Sequence, residues 1–139
     1  MFSGMTYNSI DSKGRIILPT KLREGLGESF MVTNGFQENL QIMSLDEFAH
    51  LSERIKELPM DKAMAMQYII IGPAVEVSPN SQGRIQIPQS LRENASLSKD
   101  AVVIGMDKRV EVWDKEKYEK FIERQKREVF ADAVKMLKL

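Results

Sequence analysis

The sequence predicts an α+β fold with a mainly β core, built as two tandem copies of one unit, each followed by a helix. Three observations point there. Residues 9–24, SIDSKGRIILPTKLRE, recur at an offset of 69 as residues 78–93, SPNSQGRIQIPQSLRE, with eight identities over the fourteen positions from Asp11 onward and no gap. β-branched segments are punctuated by Asp, Asn, Ser, Gly and Pro, the pattern of short strands joined by turns. Apolar residues at three- and four-residue spacing then mark an amphipathic helix behind each copy.

Each copy parses in the same order. Met5 to Ile10 and Ala74 to Val77 read as strands entering a turn. Arg15-Ile-Ile-Leu18 and Arg84-Ile-Gln-Ile87 read as second strands, with Ile85 and Ile87 on one face. Pro19 and Pro88 cannot donate to a sheet ladder, and their fixed φ suits a first helical position, so a short helix through Leu22 and Leu91 is expected. Two more strands follow, Phe30 to Thr33 with Leu40 to Met43 and Ala101 to Ile104 with Val110 to Trp113, each pair joined by a Gly-containing hairpin turn. The likeness continues there with a one-residue shift, placing Gly35 with Gly105 and Leu40 with Val110.

Ser44-Leu-Asp-Glu47 fits a capping box ahead of a helix carrying Leu45, Phe48, Leu51, Ile55 and Leu58. Pro59 interrupts it, and Asp61 to about Ile70 reads as a Met-rich helix linking the halves. Asp114 can cap the final helix, whose apolar positions run from Tyr118 to Leu137 opposite a face dense in Lys, Arg and Glu. The expected division is residues 1–58 as the first unit with its helix, 59–72 as the linker helix and 73–139 as the second unit with the long C-terminal helix.

Composition narrows the function classes. The 139 residues include no Cys and one His, which excludes a disulfide framework, a thiolate nucleophile and a His-based zinc site. No apolar run approaches the length of a membrane helix, and no basic segment followed by an apolar stretch opens the chain, so a cytoplasmic protein without membrane contact is expected. No nucleophile–base pair, metal cluster or phosphate loop is found, so neither an enzyme nor a small-molecule substrate or cofactor is expected. Twenty Lys plus Arg balance twenty Asp plus Glu, an objection to a nucleic-acid partner, since such proteins are usually basic.

Against that objection stands Asp11-Ser-Lys-Gly-Arg15, echoed as Asn80-Ser-Gln-Gly-Arg84. A carboxylate four residues before an arginine, across a glycine turn, can accept from the guanidinium and fix its pose. The planar fork then suits bidentate contact to phosphate or to guanine O6 and N7. Gly14 and Gly83 allow positive φ and close approach, and Lys13 at the turn tip adds a mobile charge suited to a phosphate. Lys13, Arg15, Lys21 and Arg23 make this first segment locally basic. A hairpin turn with solvated charges and a structural Asp–Arg pair is the competing reading.

With these motifs doubled at this spacing, and with MFSGMTYNSIDSKGRIILPTKLRE at the start and VVIGMDKRVEVWDKEKYEKF near the end, the chain resembles the MraZ family over nearly its whole length. The resemblance implies two tandem swapped-hairpin, β-barrel-type units of AbrB type related by a pseudo-two-fold axis. It implies a cytoplasmic, nucleoid-associated transcriptional regulator that forms an octamer-like ring and binds direct repeats in its own promoter, upstream of the division and cell-wall gene cluster. The D-x-x-x-R turns then face double-stranded DNA, giving that role to Asp11, Lys13, Gly14, Arg15, Lys21, Arg23, Gly83 and Arg84. In the second copy Asn80 replaces the acid and Gln82 the lysine, so the first turn is expected to dominate. Asn80 could still orient Arg84 through its amide oxygen.

Other features carry little chemistry. The methionines at 60, 64 and 66 suggest core or inter-subunit filling, Trp113 a core anchor and His50 a solvated helix residue. The alternative function is an oligomeric interaction module, or an antitoxin-like partner of another protein, motivated by the long C-terminal helix and the Met-rich linker.

Overall fold

The computed structural model describes residues 1–139 and shows a mixed α+β fold with a mainly β core. The first copy supplies β1 (Met5–Ser9), β2 (Arg15–Ile17), α1 (Thr20–Leu26), β3 (Phe30–Asn34) and β4 (Leu40–Ser44), followed by α2 (Leu45–Lys56). α3 (Met60–Met66) runs into a π-turn at Gln67–Ile71 and leads to the second copy. That copy holds β5 (Val75–Val77), β6 (Arg84–Gln86), α4 (Gln89–Asn94), β7 (Asp100–Met106) and β8 (Arg109–Asp114). α5 (Lys115–Gln125), a second π-turn and α6 (Ala131–Met136) finish the chain as one extended helical arm.

The expected order β–β–short α–β–β is therefore present twice, but the two copies do not fold apart. The main sheet is antiparallel, open and six-stranded, in the order β1-β7-β8-β4-β3-β5. β1 of the first copy extends the second copy's hairpin, and β5 of the second extends the first's. β2 and β6 pair only with each other, centred on Ile16 opposite Ile85. Exchanging the copies maps this topology onto itself. The pseudo-two-fold axis passes through the Ile16–Ile85 pair and between β4 and β8, where Gln41 faces Glu111.

The one-residue shift in the repeat is the sum of two changes. The offset of 69 at β1 and β5 becomes 71 at β3 and β7, because the second copy holds two residues more ahead of its third strand, and returns to 70 at β4 and β8. Asn8 pairs with Ala101 where Val77 pairs with Phe30, so Phe30 corresponds to Ala101 and Asn34, not Gly35, to Gly105. The β3–β4 connection holds one residue more than its counterpart, and Leu40 again matches Val110. Strand alternation cannot absorb an insertion without turning every side chain over, so the extra residues are confined to the connections.

The core lies between the ladder and one face of the sheet. Ile16, Leu18, Ile85 and Ile87 from the ladder meet Phe30, Val32, Leu40, Ile42, Val110 and Val112, with Leu22 and Leu91 of the short helices closing the ends. Pro19 and Pro88 stand one residue earlier than expected, as the caps of α1 and α4 with ψ near 141° and 146°. Their extended ψ belongs to the strand side, while the Pro19 carbonyl accepts from the Leu22 and Arg23 amides and starts the helix.

The opposite sheet face is covered by helices. Trp113 is buried there, edge-on to Tyr118 and against Phe121, an anchor under α5 outside the main core. Ser44 Oγ accepts from the Glu47 amide and Asp114 Oδ2 from the Lys117 amide, so both residues cap their helices, but the Glu47 carboxylate lies toward His50 and does not complete the expected capping box. Met60 and Met64 do not fill the core of the chain; both are exposed, because α3 touches the body mainly through the turn that follows it, where Ile70 is buried. His50 is exposed beside Glu47. No helix is long and apolar enough to cross a membrane.

Candidate nucleic-acid interface

The outward face of the β2–β6 ladder gathers the repeated motifs. Alternation buries Ile16 and Ile85 and turns Arg15, Ile17, Arg84 and Gln86 outward. Antiparallel pairing then places the two motif turns at opposite ends of the ladder. Arg15 and Arg84 nevertheless line one shallow cleft, shared with Tyr7 and Asn8 of β1 and with Asp11. The Asn8 amide fixes its wall by donating to the Ile17 carbonyl at 2.7 Å.

In the first turn Asp11 organises both backbone and side chain. Its Oδ1 accepts from the Lys13 and Arg15 amides, each at 2.9 Å, and its Oδ2 accepts from Arg15 Nε at 2.8 Å. The Asp11 amide donates to the Arg15 carbonyl and the Gly14 amide to the Asp11 carbonyl. Gly14 has φ +78°, which a Cβ would strain. The Arg15 amide above all, against a smaller desolvation, and then the Arg15 guanidinium and the Lys13 amide hold the Asp11 carboxyl below the ordinary aspartate pKa. With Nε engaged, the Arg15 fork remains half-exposed and directed into the cleft, and the Lys13 side chain is exposed at the tip.

The second turn repeats the backbone and changes the side-chain chemistry. Gly83 also has φ +78°, and Asn80 Oδ1 accepts from the Gln82 and Arg84 amides at 2.9 and 3.0 Å. The amide oxygen of Asn80 is thus spent on the backbone, and the Arg84 guanidinium donates to Gln82 Oε1 instead. An amide offers one acceptor atom where a carboxylate offers two, so Asn80 does not reproduce both halves of the Asp11 arrangement. Gln82 takes over the second half, a role that motif comparison alone passes over.

The two remaining cations of the sequence-derived group are placed elsewhere. Lys21 lines a separate hollow with Phe2, Gly25 and Asp107, away from the first turn. Arg23 lies against Gly83 of the opposite copy, its Nε donating to the Leu18 carbonyl and its Nη2 to Thr20 Oγ1. Its repeat partner Arg92, to which sequence reasoning gave no role, lies against Gly14. The identity of Arg23 and Arg92 within the repeat was the available signal. No group of three or more His, Asp or Glu side chains is placed to hold a metal ion.

Comparison with known proteins agrees with the doubled architecture. The family model described as "MraZ protein, putative antitoxin-like" matches residues 1–67 and again 70–139. A transcriptional regulator MraZ from Acetivibrio thermocellus is 46% identical over 124 residues, covering 87% of this chain and 86% of that protein. Its namesake from Caldanaerobacter subterraneus is 45% identical over 123 residues, with the same coverage of each chain. Another from Natranaerobius thermophilus is 41% identical over 123 residues, again covering 87% and 86%.

Proposed function

The chain belongs to the MraZ family, and from that premise we propose that it is a sequence-specific DNA-binding transcriptional regulator that acts by occupying promoter repeats. The observation that carries this reading is the cleft where Arg15 and Arg84 converge, each held by a neighbour on its own turn. Whereas Arg84 is held through Nη1, Arg15 is fixed through Nε and keeps its outer nitrogens in a defined plane. It therefore loses little entropy when it engages the edge of a guanine or a phosphate. Lys13 adds a sequence-independent phosphate contact. The carboxylate makes the first turn the better ordered of the two, and we assign it the larger share of binding.

Residues 1–58 and 73–139, with 59–72 between them, are the two units of this reading. A ring-like, octamer-like homo-oligomer would present the first turn several times over, and direct repeats in the protein's own promoter, ahead of a division and cell-wall gene cluster, would match that spacing. Linked weak contacts gain effective concentration only when their geometry fits, which turns modest single sites into selective binding. A cytoplasmic, nucleoid-associated location follows from the same reading.

Binding to a duplex spanning the region upstream of its own coding sequence, titrated with salt, tests the proposal. Arg15→Ala should weaken binding by about 1–3 kcal/mol per engaged site and relax specificity. Lys13→Ala should reduce the slope of log affinity against log salt by about one. An Arg15→Ala protein that binds the duplex as tightly as the parent would overturn the assignment.

The uncovered apolar side chains of the helical arm, Val129, Phe130 and Val134, favour one secondary reading, an antitoxin-like contact with another protein. Capture of a partner from nuclease-treated lysate that is lost on Phe130→Ser would support it.

A further inference from the structure

The glycine of each motif turn is covered by an arginine from the other copy. A Cβ built on Gly14 would stand 2.6 Å from Cζ of Arg92, and one on Gly83 would stand 2.8 Å from Cζ of Arg23. The contact is anchored rather than accidental. The Ile87 amide donates to the Gly14 carbonyl at 3.0 Å, and the Ile87 carbonyl accepts from Arg92 Nε at 3.0 Å. The pseudo-two-fold axis repeats this on the other side, with Leu18 N donating to the Gly83 carbonyl and Arg23 Nε donating to the Leu18 carbonyl.

The two arginines differ in what remains. Arg23 Nη2 donates to Thr20, whereas position 89 in the second copy is Gln and its amide turns to Glu93. Arg92 therefore keeps both η nitrogens without a protein partner, and no carboxylate pairs with it. It is half-buried, beside the turn that carries the carboxylate, with a fixed Nε.

We propose that Arg92 is a phosphate-contacting residue of the first turn, supplied across the pseudo-two-fold by the second unit, and that Arg23 serves the weaker second turn in the same way. This rests on the DNA-binding reading above. The cationic group at each turn is then composite: Lys13 and Arg15 with Arg92 at one end of the ladder, Arg84 with Arg23 at the other. A duplex lying on the first turn meets a guanidinium that the contiguous sequence assigns to the other turn. Because the contact is to phosphate, Arg92 sets register and affinity and carries no base preference.

The test measures binding of the upstream duplex over a salt series for the parent, Arg92→Ala, Arg92→Lys, Arg92→Gln, Arg23→Ala and Arg15→Ala. Arg92→Ala should bind roughly tenfold more weakly, the size of one charge-assisted hydrogen bond. Its salt slope should fall by about one. Arg92→Lys should keep the slope, Arg92→Gln should lose it, and Arg23→Ala should change binding less than Arg92→Ala. If Arg92→Ala proves unfolded, the Lys and Gln variants carry the same contrast between charge kept and charge lost. A purely structural Arg92 would lower the melting temperature and leave the slope unchanged, which overturns the proposal. So would a larger loss from Arg23→Ala than from Arg92→Ala. Arg15→Ala separates the two levels: its failure to weaken binding sinks the DNA reading itself, while its success with an unchanged Arg92→Ala slope sinks only the exchange.

Discussion

Asp11 concentrates three acceptor contacts on two oxygens, and this is where the two turns part chemically. Asp11→Asn should keep the backbone of the turn, as Asn80 does in the second copy, and release the Arg15 guanidinium. The pH dependence follows from the lowered carboxyl pKa. A folded-state pKa below the unfolded value means the stabilisation is fully present above the unfolded aspartate pKa of about 3.9 and is lost as pH falls through the folded one. Denaturation midpoints taken from neutral pH down into this acid window should fall more steeply for the parent than for Asp11→Asn. Glu38 and Asp61 also have lowered pKa values but are common to both proteins, so the difference isolates Asp11. Equal acid sensitivity would show that the ion pair contributes nothing to the turn. The Asp–Arg pairing was legible in the sequence because four residues and a glycine fix its geometry. The Gln82–Arg84 contact was not, because a glutamine two residues before an arginine has no preferred pose until the strand sets their directions.

At the level of elements, local signals were reliable wherever the chain satisfies its own backbone. Ser44 and Asp114 both cap their helices, and both follow a buried strand directly, with no loop to absorb an error in direction. They are not equivalent. Ser44 makes the single cap contact to Glu47, whereas Asp114 is buried and its Oδ1 also accepts from the Ser98 amide and hydroxyl. Ser44→Ala should therefore cost about 1 kcal/mol. Asp114→Ala should cost about 2–3 kcal/mol, since it also releases the loop that leads into β7. Urea denaturation of the two variants checks the order, and an Asp114→Ala protein no less stable than Ser44→Ala would mean the loop contact is idle. The linker shows where local reading fails. Its methionines carry helical spacing, but spacing cannot say whether the facing surface is this chain's own core, and here Met60 and Met64 face outward.

Across the whole molecule, the repeat was legible in the residues themselves, whereas the exchange was expected only through the family resemblance, for a physical reason. Self-similarity reports what each unit contains, whereas strand pairing depends on which edges meet, and both copies offer the same edges. The outcome binds the halves more tightly than a linker would. β2 has no ladder partner except β6, and Ile16, Leu18, Ile85 and Ile87 share one core. A fragment of residues 1–67 or 70–139 thus lacks a partner for its second strand and exposes half of that core. Two resolutions are open to such a fragment: stay unfolded, or pair with a second copy of itself across the vacated axis. In the second case Ile16 would meet Ile16, and the pairing register through the axis allows it because Ile16 and Ile85 are equivalent positions. Either way a folded monomeric half is excluded. Sedimentation and far-ultraviolet circular dichroism over a dilution series should show structure that disappears together with the dimer, or none at any concentration. Mixing the two fragments should restore a one-to-one complex that reunites Arg92 with Gly14 and Arg23 with Gly83. A fragment that stays cooperatively folded as a monomer would show that each copy can close its own core, and that the exchanged ladder is not what holds the molecule together.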